Sequence, residues 1–145
     1  MTMETNKDHY LHMTHEEQLS KHGYHVCSPI SGSMRPMIRV RRDSVLFITP
    51  KGQLKKYDVA LYRADNGKAV MHRVLKVFPD GYFIRGDNSR NGEYVREEQI
   101  LGVMDGFYRD EKYIRANSVW HQIYARTWVV LHPLLCLYKR VRWRT

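Results

Sequence analysis

The pattern of apolar and polar positions changes twice along the chain. Residues 1–13 form a polar lead-in for which we predict little order. Thr14 to Gly23 then predicts a short helix, because Thr14 and Glu17 have the spacing of a capping box and Gly23 is a typical C-terminal stop. We therefore group residues 1–25 as a lead-in that ends in one short helix.

Short apolar segments separated by turn signals run from Tyr24 to Tyr108. The predicted strands are Ser44–Ile48, Val59–Arg63, Ala69–Phe78 and Tyr82–Arg85, followed by one more that is formed by Ile100–Met104 and Gly106–Tyr108. Asn66-Gly67 predicts a two-residue hairpin turn, and Asp80-Gly81 predicts the turn after it. Helices do not alternate with these strands, which excludes a parallel α/β sheet. We predict a mainly β fold: an antiparallel core over residues 26–108 with short flanking helices.

Helical periodicity returns after Ile114. One predicted helical face carries Trp120, Ile123, Tyr124, Thr127, Trp128 and Leu131. Asn117 and Ser118 are the candidate caps at its start, and we expect Pro133 to break or kink the helix. Residues 109–145 are thus predicted to be a basic, amphipathic, helical tail.

Charge is concentrated in this tail. Of the net charge of +9, residues 109–145 supply +6 and the first 108 residues only +3. A basic segment can meet the phosphates of nucleic acid or of lipid headgroups. The run of Trp and Leu over 128–138, followed by the basic run Lys139–Arg144, suits a helix in the interface of an anionic membrane. Packing of this helix on the β core is an equally weighted alternative.

Composition limits the class of protein. A chain of 145 residues with 43% hydrophobic residues corresponds to one globular domain. Two cysteines exclude a disulfide framework, and the sequence has no apolar run long enough for a transmembrane helix. The first ten residues do not have the pattern of a signal peptide, so we expect a cytoplasmic protein, peripheral to the cytoplasmic membrane if the tail binds lipid. No helix-turn-helix, zinc-finger or RNA-binding pattern occurs, and we expect no nucleic-acid partner.

Three short segments carry candidate chemistry. Small residues around Ser33, in Ser-Gly-Ser-Met-Arg-Pro, allow a sharp turn that exposes the hydroxyl. A serine needs a base to become a nucleophile, and His72 is the candidate, since its ordinary pKa of about 6.5 suits that role. Gly86-Asp87-Asn88 supplies an aspartate able to orient an imidazole. Taken singly, each segment is more commonly a Ser/Gly loop, a core histidine or a simple turn.

Taken in order, these segments resemble the signal peptidases and their relatives, the self-cleaving LexA-like repressor proteases. The nucleophile box Ser-Gly-Ser-Met-x-Pro is matched by 31–36 and the apolar strand box by 54–61. His-Arg-Val at 72–74 resembles the endoplasmic-reticulum-type branch of the family, whereas most bacterial members have Lys-Arg-Val in this box. The Gly-Asp-Asn turn at 86–88 and Leu101-Gly102-Val103 complete the set. The resemblance spans about 26–103 and implies a coiled antiparallel β-sheet.

Roles follow from the resemblance position by position. Ser33 matches the nucleophile and His72 the general base. Ser31 matches the serine whose hydroxyl forms the oxyanion hole together with the backbone N–H of Ser33. Either Asp87 or Glu93 orients His72, with Asp87 slightly favoured. The family implies small side chains at the cleavage site of a peptide or precursor-protein substrate, and it implies no cofactor.

Departures from the family pattern are also visible. Tyr57 stands where the family usually has Gly before Asp58, and we find neither the N-terminal anchor of signal peptidases nor the DNA-binding domain of the repressors. We therefore expect an intracellular serine endopeptidase that trims a peptide or precursor. The alternatives are a non-catalytic peptide- or membrane-binding module on the same fold and a self-cleaving protease.

The histidines near the N-terminus need a separate decision. His12, His15, His22 and His25 form two His-x-x-His pairs, with Cys27 nearby. Such a set can bind zinc, but three-residue spacing arises readily by chance in a His-rich segment. We expect no metal site.

Overall fold

A computed structural model describes residues 14–29 and 31–142. The helices are α1 (His15–His22) and α2 (Val119–Arg142), with short 3-10 turns at Gly32–Met34 and Glu97–Gln99. The strands are β1 (Tyr24–Cys27), β2 (Asp43–Ile48), β3 (Val59–Arg63), β4 (Ala69–Phe78), β5 (Gly81–Arg85), β6 (Glu93–Arg96), β7 (Ile100–Arg109) and β8 (Lys112–Arg115). The prediction of a mainly β protein with flanking helices is confirmed.

All strand pairs are antiparallel and belong to one sheet. The order is β1-β2-β7-β3-β4-β5-β6, and β8 pairs with the end of β7. The central strand β3 is buried on both faces: Val59 and Leu61 join one apolar cluster, whereas Ala60 and Tyr62 join another. The sheet therefore has a core on each side of β3, and the strand that follows it, β4, carries His72.

The short helix predicted between Thr14 and Gly23 is confirmed as α1. The Thr14 hydroxyl accepts a hydrogen bond from the Glu17 N–H (3.2 Å), and the Glu17 carboxylate accepts one from the Thr14 N–H (2.9 Å). Gly23 ends the helix in the left-handed region, at φ 75°. Leu19 is the buried residue of this helix, and it joins the cluster around Phe47.

Several sequence-based boundaries are corrected. The sheet extends past both ends of 26–108, because β1 begins at Tyr24 and the tail opens with β8. The last predicted strand is confirmed as β7, which is continuous and includes Asp105 between its two predicted segments; the Asp105 carboxylate accepts a hydrogen bond from the Tyr113 hydroxyl. β6 and β8 were not predicted as strands. The β7–β8 turn uses Asp110 at φ 56°, without the Asn-Gly or Asp-Gly signal.

The hairpin between β3 and β4 also differs from the prediction. Ala64 N–H bonds to the Lys68 carbonyl (2.8 Å), so the loop is the three residues 65–67 and not Asn66-Gly67 alone. Gly67 adopts φ 83°, as three-residue hairpin loops require near their end. Compared with a two-residue turn at Asn66-Gly67, the three-residue loop shifts the pairing of β3 with β4 by one residue. Ala60 therefore lies opposite His72.

Of the expected break or kink at Pro133, the break does not occur, because helix α2 runs through the proline. The helix continues although the proline lacks a backbone N–H, with His132 before the proline buried and Cys136 after it half-buried. Ser118 caps the start by accepting a hydrogen bond from the His121 N–H (3.3 Å). No helix within the described residues is long and apolar enough to cross a membrane.

The predicted face of this helix is only partly right. Tyr124 and Trp128 turn inward, but Trp120, Ile123, Thr127 and Leu131 are exposed. The buried positions are His121, Ala125 and His132. Apolar side chains occupy more than one face of this helix, so periodicity alone did not identify the face that packs on the protein.

Candidate active site

Ser33 lies in the 3-10 turn Gly32–Met34, directly after Ser31. Backbone at Ser31 is extended, and the chain then turns sharply. The next side chain, Met34, is 1% exposed and belongs to the apolar cluster below the loop. Because Met34 holds the loop in the apolar cluster, the half-buried Ser33 side chain lies at the protein surface.

The Gly86-Asp87-Asn88 turn holds this loop. Asn88 donates its backbone N–H to the Ser33 carbonyl (2.8 Å) and its side-chain amide to the Gly32 carbonyl (3.1 Å). A Cβ atom on Gly86 would lie 2.7 Å from the Ser33 carbonyl oxygen and 2.9 Å from Cδ2 of His72. Only glycine fits at this point, because the serine loop and the histidine both approach it closely.

Ser33 and His72 line the same open cleft, which has a volume of about 760 Å³. Ser31 lies at this cleft too, and Met34, Leu61 and Met71 contribute apolar lining. The Ser33 Oγ accepts a hydrogen bond from the Ser31 hydroxyl at 3.1 Å. Among the described residues the structure records no hydrogen bond between Ser33 and His72. The fold thus brings to one cleft two groups that 38 residues separate in the chain, but it does not join them.

A chain of hydrogen bonds fixes the other side of the imidazole. Nδ1 of His72 lies 3.3 Å from the Tyr62 hydroxyl, which donates its proton to the Glu93 carboxylate. The Tyr62 oxygen must then accept from His72, so Nδ1 carries the ring proton. In the neutral ring this leaves Nε2 with a lone pair, which is the tautomer that a general base needs.

Burial sets the ionisation of these groups. Desolvation lowers the pKa of His72 below 6.5, and the negative charges of Glu93 and Asp87 oppose that shift. Burial and the Glu93 carboxylate raise the pKa of Tyr62. His72 is therefore neutral and Tyr62 protonated near pH 7, as the hydrogen-bond chain requires.

Asp87, the slightly favoured partner of His72, lies elsewhere in the structure. Its carboxylate receives two hydrogen bonds from Arg73, Nε to Oδ1 at 2.8 Å and Nη2 to Oδ2 at 2.9 Å. The Tyr124 hydroxyl donates a third at 3.1 Å. Arg73 is 0% exposed and Asp87 3% exposed, so this is a buried ion pair. The contact expected between Asp87 and the imidazole is replaced by one to the neighbouring arginine, because Arg73 is the buried cation that needs it.

Helix α2 also contacts the Gly86-Asp87-Asn88 turn. The Trp128 indole N–H donates to the Asp87 carbonyl at 2.6 Å, and Tyr124 and Trp128 stack with ring centroids 6.0 Å apart. Nε2 of His121 accepts from Arg73 at 3.4 Å. Burial and the Arg73 charge lower the pKa of His121 to about 4, so this imidazole is neutral. The side of α2 that carries His121, Tyr124 and Trp128, which we call its inner face, therefore supports the turn that holds the Ser33 loop.

One edge of β4 is open beside the cleft. β4 pairs with β3 through 69–73 and with β5 only from Arg73 onward. Within the described residues, Ala69–His72 thus have no strand on their second edge, and these four residues also line the cleft. An extended peptide has space and backbone partners at this edge.

The histidines near the N-terminus form a smaller cluster. His15 Nδ1 and His25 Nε2 lie 2.6 Å apart, and His25 Nδ1 lies 2.6 Å from the Gln18 side-chain oxygen. His12 lies outside the described residues. Over residues 14–29 and 31–142, no group of three or more His, Cys, Asp or Glu side chains is placed to hold a metal ion.

Sequence reasoning missed the contacts of Tyr62, Arg73, Tyr124 and Trp128. The contact between Tyr62 and His72 could have been predicted from strand pairing. Tyr62 and His72 lie on one face of neighbouring strands, but only in the register that pairs Ala60 with His72. A two-residue turn at Asn66-Gly67 would have put them on opposite faces. The contacts of α2 with Asp87 had no local signal.

Comparisons with models of known protein families and with curated proteins found no match to this chain.

Proposed function

We propose that this protein is a serine endopeptidase of signal-peptidase-like type, with Ser33 as nucleophile and His72 as general base. The observation that carries the proposal is that these two side chains, distant in sequence, line one cleft together with Ser31. A binding module needs no serine and histidine at the same cleft, nor a histidine held in the tautomer of a base.

The proposed substrate is a peptide or the leader of a precursor protein. It lies extended along the open edge of β4 and places its scissile bond at Ser33. The apolar lining of the cleft supports binding of small or apolar side chains next to that bond. The resemblance to signal peptidases also implies small residues there.

The proposed reaction has two halves. Ser33 Oγ attacks the scissile carbonyl carbon while His72 Nε2 takes the hydroxyl proton. The Ser33 N–H and the Ser31 hydroxyl stabilise the oxyanion. The carbon–nitrogen bond then breaks, and His72 returns the proton to the leaving amine. Water then attacks the acyl carbon while His72 Nε2 takes a proton from it. The ester bond to Ser33 breaks, and His72 returns that proton to Ser33 Oγ, which releases the acid product and restores the enzyme.

Glu93 and Tyr62 are positioning residues in this proposal. His72 becomes positively charged during each half-reaction, and a carboxylate linked to it through Tyr62 stabilises that charge. Asp87 acts differently, because its pair with Arg73 supports the turn that holds the Ser33 carbonyl.

We place this activity in a reducing compartment such as the cytosol. Cys27 and Cys136 are free thiols, and burial raises the pKa of Cys27 to about 11, which keeps it unreactive. Retention of activity under strongly reducing conditions is the expected result, and loss of activity with dithiothreitol contradicts this part of the proposal.

The central test uses covalent labelling by a fluorophosphonate, followed by mass spectrometry, and cleavage of a peptide library with small residues. Ser33→Ala should abolish both, and His72→Ala should come close to the same loss. Ser31→Ala should reduce rates by roughly 10²–10³-fold, as for one oxyanion donor. Ser28→Ala is the matched control, because Ser28 lines the same cleft.

Two results overturn the proposal. One is labelling that persists in Ser33→Ala. The other is a folded wild-type protein that neither reacts with the probe nor cleaves any peptide, which favours the peptide-binding alternative. Cleavage of the protein's own chain without turnover of added peptides favours self-cleavage.

A further inference from the structure

Helix α2 has an exposed apolar face that the peptidase proposal does not use. Nine large apolar side chains of this helix are exposed: Val119, Trp120, Ile123, Val130, Leu131, Leu134, Leu137, Tyr138 and Val141. At 3.6 residues per turn they fall within roughly a third of the helix circumference. We call this set the outer face. The helix has 24 residues, so the outer face extends over about 36 Å.

The opposite side of the helix is already occupied. Tyr124 and Trp128 bond to Asp87, and His121, Ala125 and His132 are buried. These contacts fix the rotation of the helix about its axis. The outer face therefore stays directed away from the protein, and a contiguous exposed apolar surface of this length is typical of an interaction site.

Charge identifies the kind of partner. The sequence of α2 contains Arg126, Lys139, Arg140 and Arg142 and no acidic residue. Helical geometry places Arg126 and Arg140 beside one border of the outer face and Arg142 beside the other. An apolar strip with tryptophan and leucine, bordered by cations, is the pattern of a helix lying in the headgroup region of an anionic membrane.

We propose that the protein binds an anionic lipid surface through the outer face of α2, with the helix axis parallel to the bilayer. A second copy of the chain suits this face less well, because two such helices would bring eight cations together. This inference is independent of the peptidase proposal. The inner face of α2 contacts Asp87, and the turn that contains Asp87 holds the Ser33 loop. Membrane binding through α2 would therefore bring the cleft of Ser33 close to the bilayer surface.

The test is co-sedimentation of the full chain with vesicles. Vesicles of phosphatidylcholine with 30 mol% phosphatidylglycerol, about one anionic lipid in three, should bind the protein, whereas pure phosphatidylcholine should bind it much more weakly. High salt should weaken binding, because it screens the attraction between the cations and the headgroups. Arg140→Gln and Arg142→Gln should each reduce affinity about fivefold.

The decisive variant is Trp120→Ser with Leu134→Ser and Leu137→Ser, which should lose vesicle binding by more than tenfold. Its matched control is Tyr24→Ser with Val26→Ser, two exposed apolar residues on β1, which should bind as the wild type does. Circular dichroism checks that each variant is folded. These point variants are preferable to deleting the helix, because Trp128 also supports Asp87.

Three results overturn the proposal. The first is no binding of the wild-type protein to anionic vesicles. The second is equal loss of binding in the triple variant and in the β1 control. The third is a dimer in sedimentation equilibrium that the triple variant abolishes while vesicle binding is absent, which assigns the outer face to self-association.

Discussion

Asp87 and Glu93 are six residues apart and both oppose the lowering of the His72 pKa, but they occupy different environments. Asp87 is buried, with both carboxylate oxygens bonded to Arg73. Glu93 begins the exposed strand β6 and reaches His72 only through the Tyr62 hydroxyl. The acid nearest a histidine in a sequence motif therefore need not be its hydrogen-bond partner. A buried cation nearby competes for it.

The largest expected effect is a difference in the free energy of unfolding between variants of Asp87 and variants of Glu93. Asp87→Ala leaves the Arg73 guanidinium buried and uncompensated, and the free energy of unfolding should fall by about 3–5 kcal/mol. Glu93→Gln should change it by less than about 1 kcal/mol, because Glu93 is exposed. Urea denaturation measures both. Equal losses in the two variants would show that the buried pair is not the stronger structural element.

For the rate of the proposed reaction we expect Glu93, and not only the buried Asp87, to matter. Tyr62→Phe and Glu93→Gln should slow fluorophosphonate labelling of Ser33 by roughly 10- to 100-fold, less than the full contribution of a general base. Tyr62→Phe interrupts the hydrogen-bond chain that fixes the ring proton on Nδ1, whereas Glu93→Gln removes the negative charge at the end of that chain. Labelling at the wild-type rate in folded Tyr62→Phe would remove Tyr62 from the mechanism. The fold of each variant is checked in the same urea series.

The pH dependence sharpens the role of Glu93. If His72 is the base, labelling should increase with pH through a midpoint below 6.5, because burial lowers the pKa of His72 and only a neutral imidazole can accept the serine proton. Glu93→Gln removes a charge that raises this pKa, so its midpoint should lie at still lower pH. Tyr62→Phe removes no charge and should slow labelling with a smaller displacement of the midpoint. A midpoint above 6.5 in the wild type, or an upward shift in Glu93→Gln, contradicts this assignment.

The smallest effect concerns the backbone beside the buried pair. Tyr57 has φ 78°, a conformation that favours glycine, and its carbonyl accepts a hydrogen bond from Arg73 Nη1 at 2.9 Å. Tyr57→Gly should therefore be more stable than Tyr57→Ala by about 1 kcal/mol. Comparing these two variants removes the tyrosine ring from both sides of the measurement. Equal unfolding free energies would mean that the left-handed backbone has no cost here.

Much of the sheet follows from local sequence. The predicted bounds of β3 and β4 agree with the structure, because both are apolar segments with turn residues between them. The capping box of α1 is also local, since its partners are three residues apart. By contrast, β6 and β8 have four residues each and few apolar side chains, and they form strands only because β5 and β7 offer them an edge.

The candidate site was predictable in its residue types and less so in its contacts. Ser33 and His72 follow from the sequence segments that contain them. The partner of His72 depends on the register of the β3–β4 hairpin, which would differ by one residue if Asn66-Gly67 alone formed the loop. The partner of Asp87 depends on Arg73 and on side chains of α2 that lie 37 and 41 residues further along the chain. Long-range packing of this kind has no local pattern.

The adjacency of His72 and Arg73 in β4 limits how this protein can change over evolutionary time. Successive residues of a strand point to opposite faces of the sheet, so the two side chains serve two separate networks from one short segment. A residue inserted into the loop 65–67 can be accommodated outside the paired strands. A residue inserted between Ala69 and His72 would exchange the two faces, separating the imidazole from Tyr62 and the guanidinium from Asp87 at once. Related sequences should therefore vary in the length of that loop and keep the length of the strand.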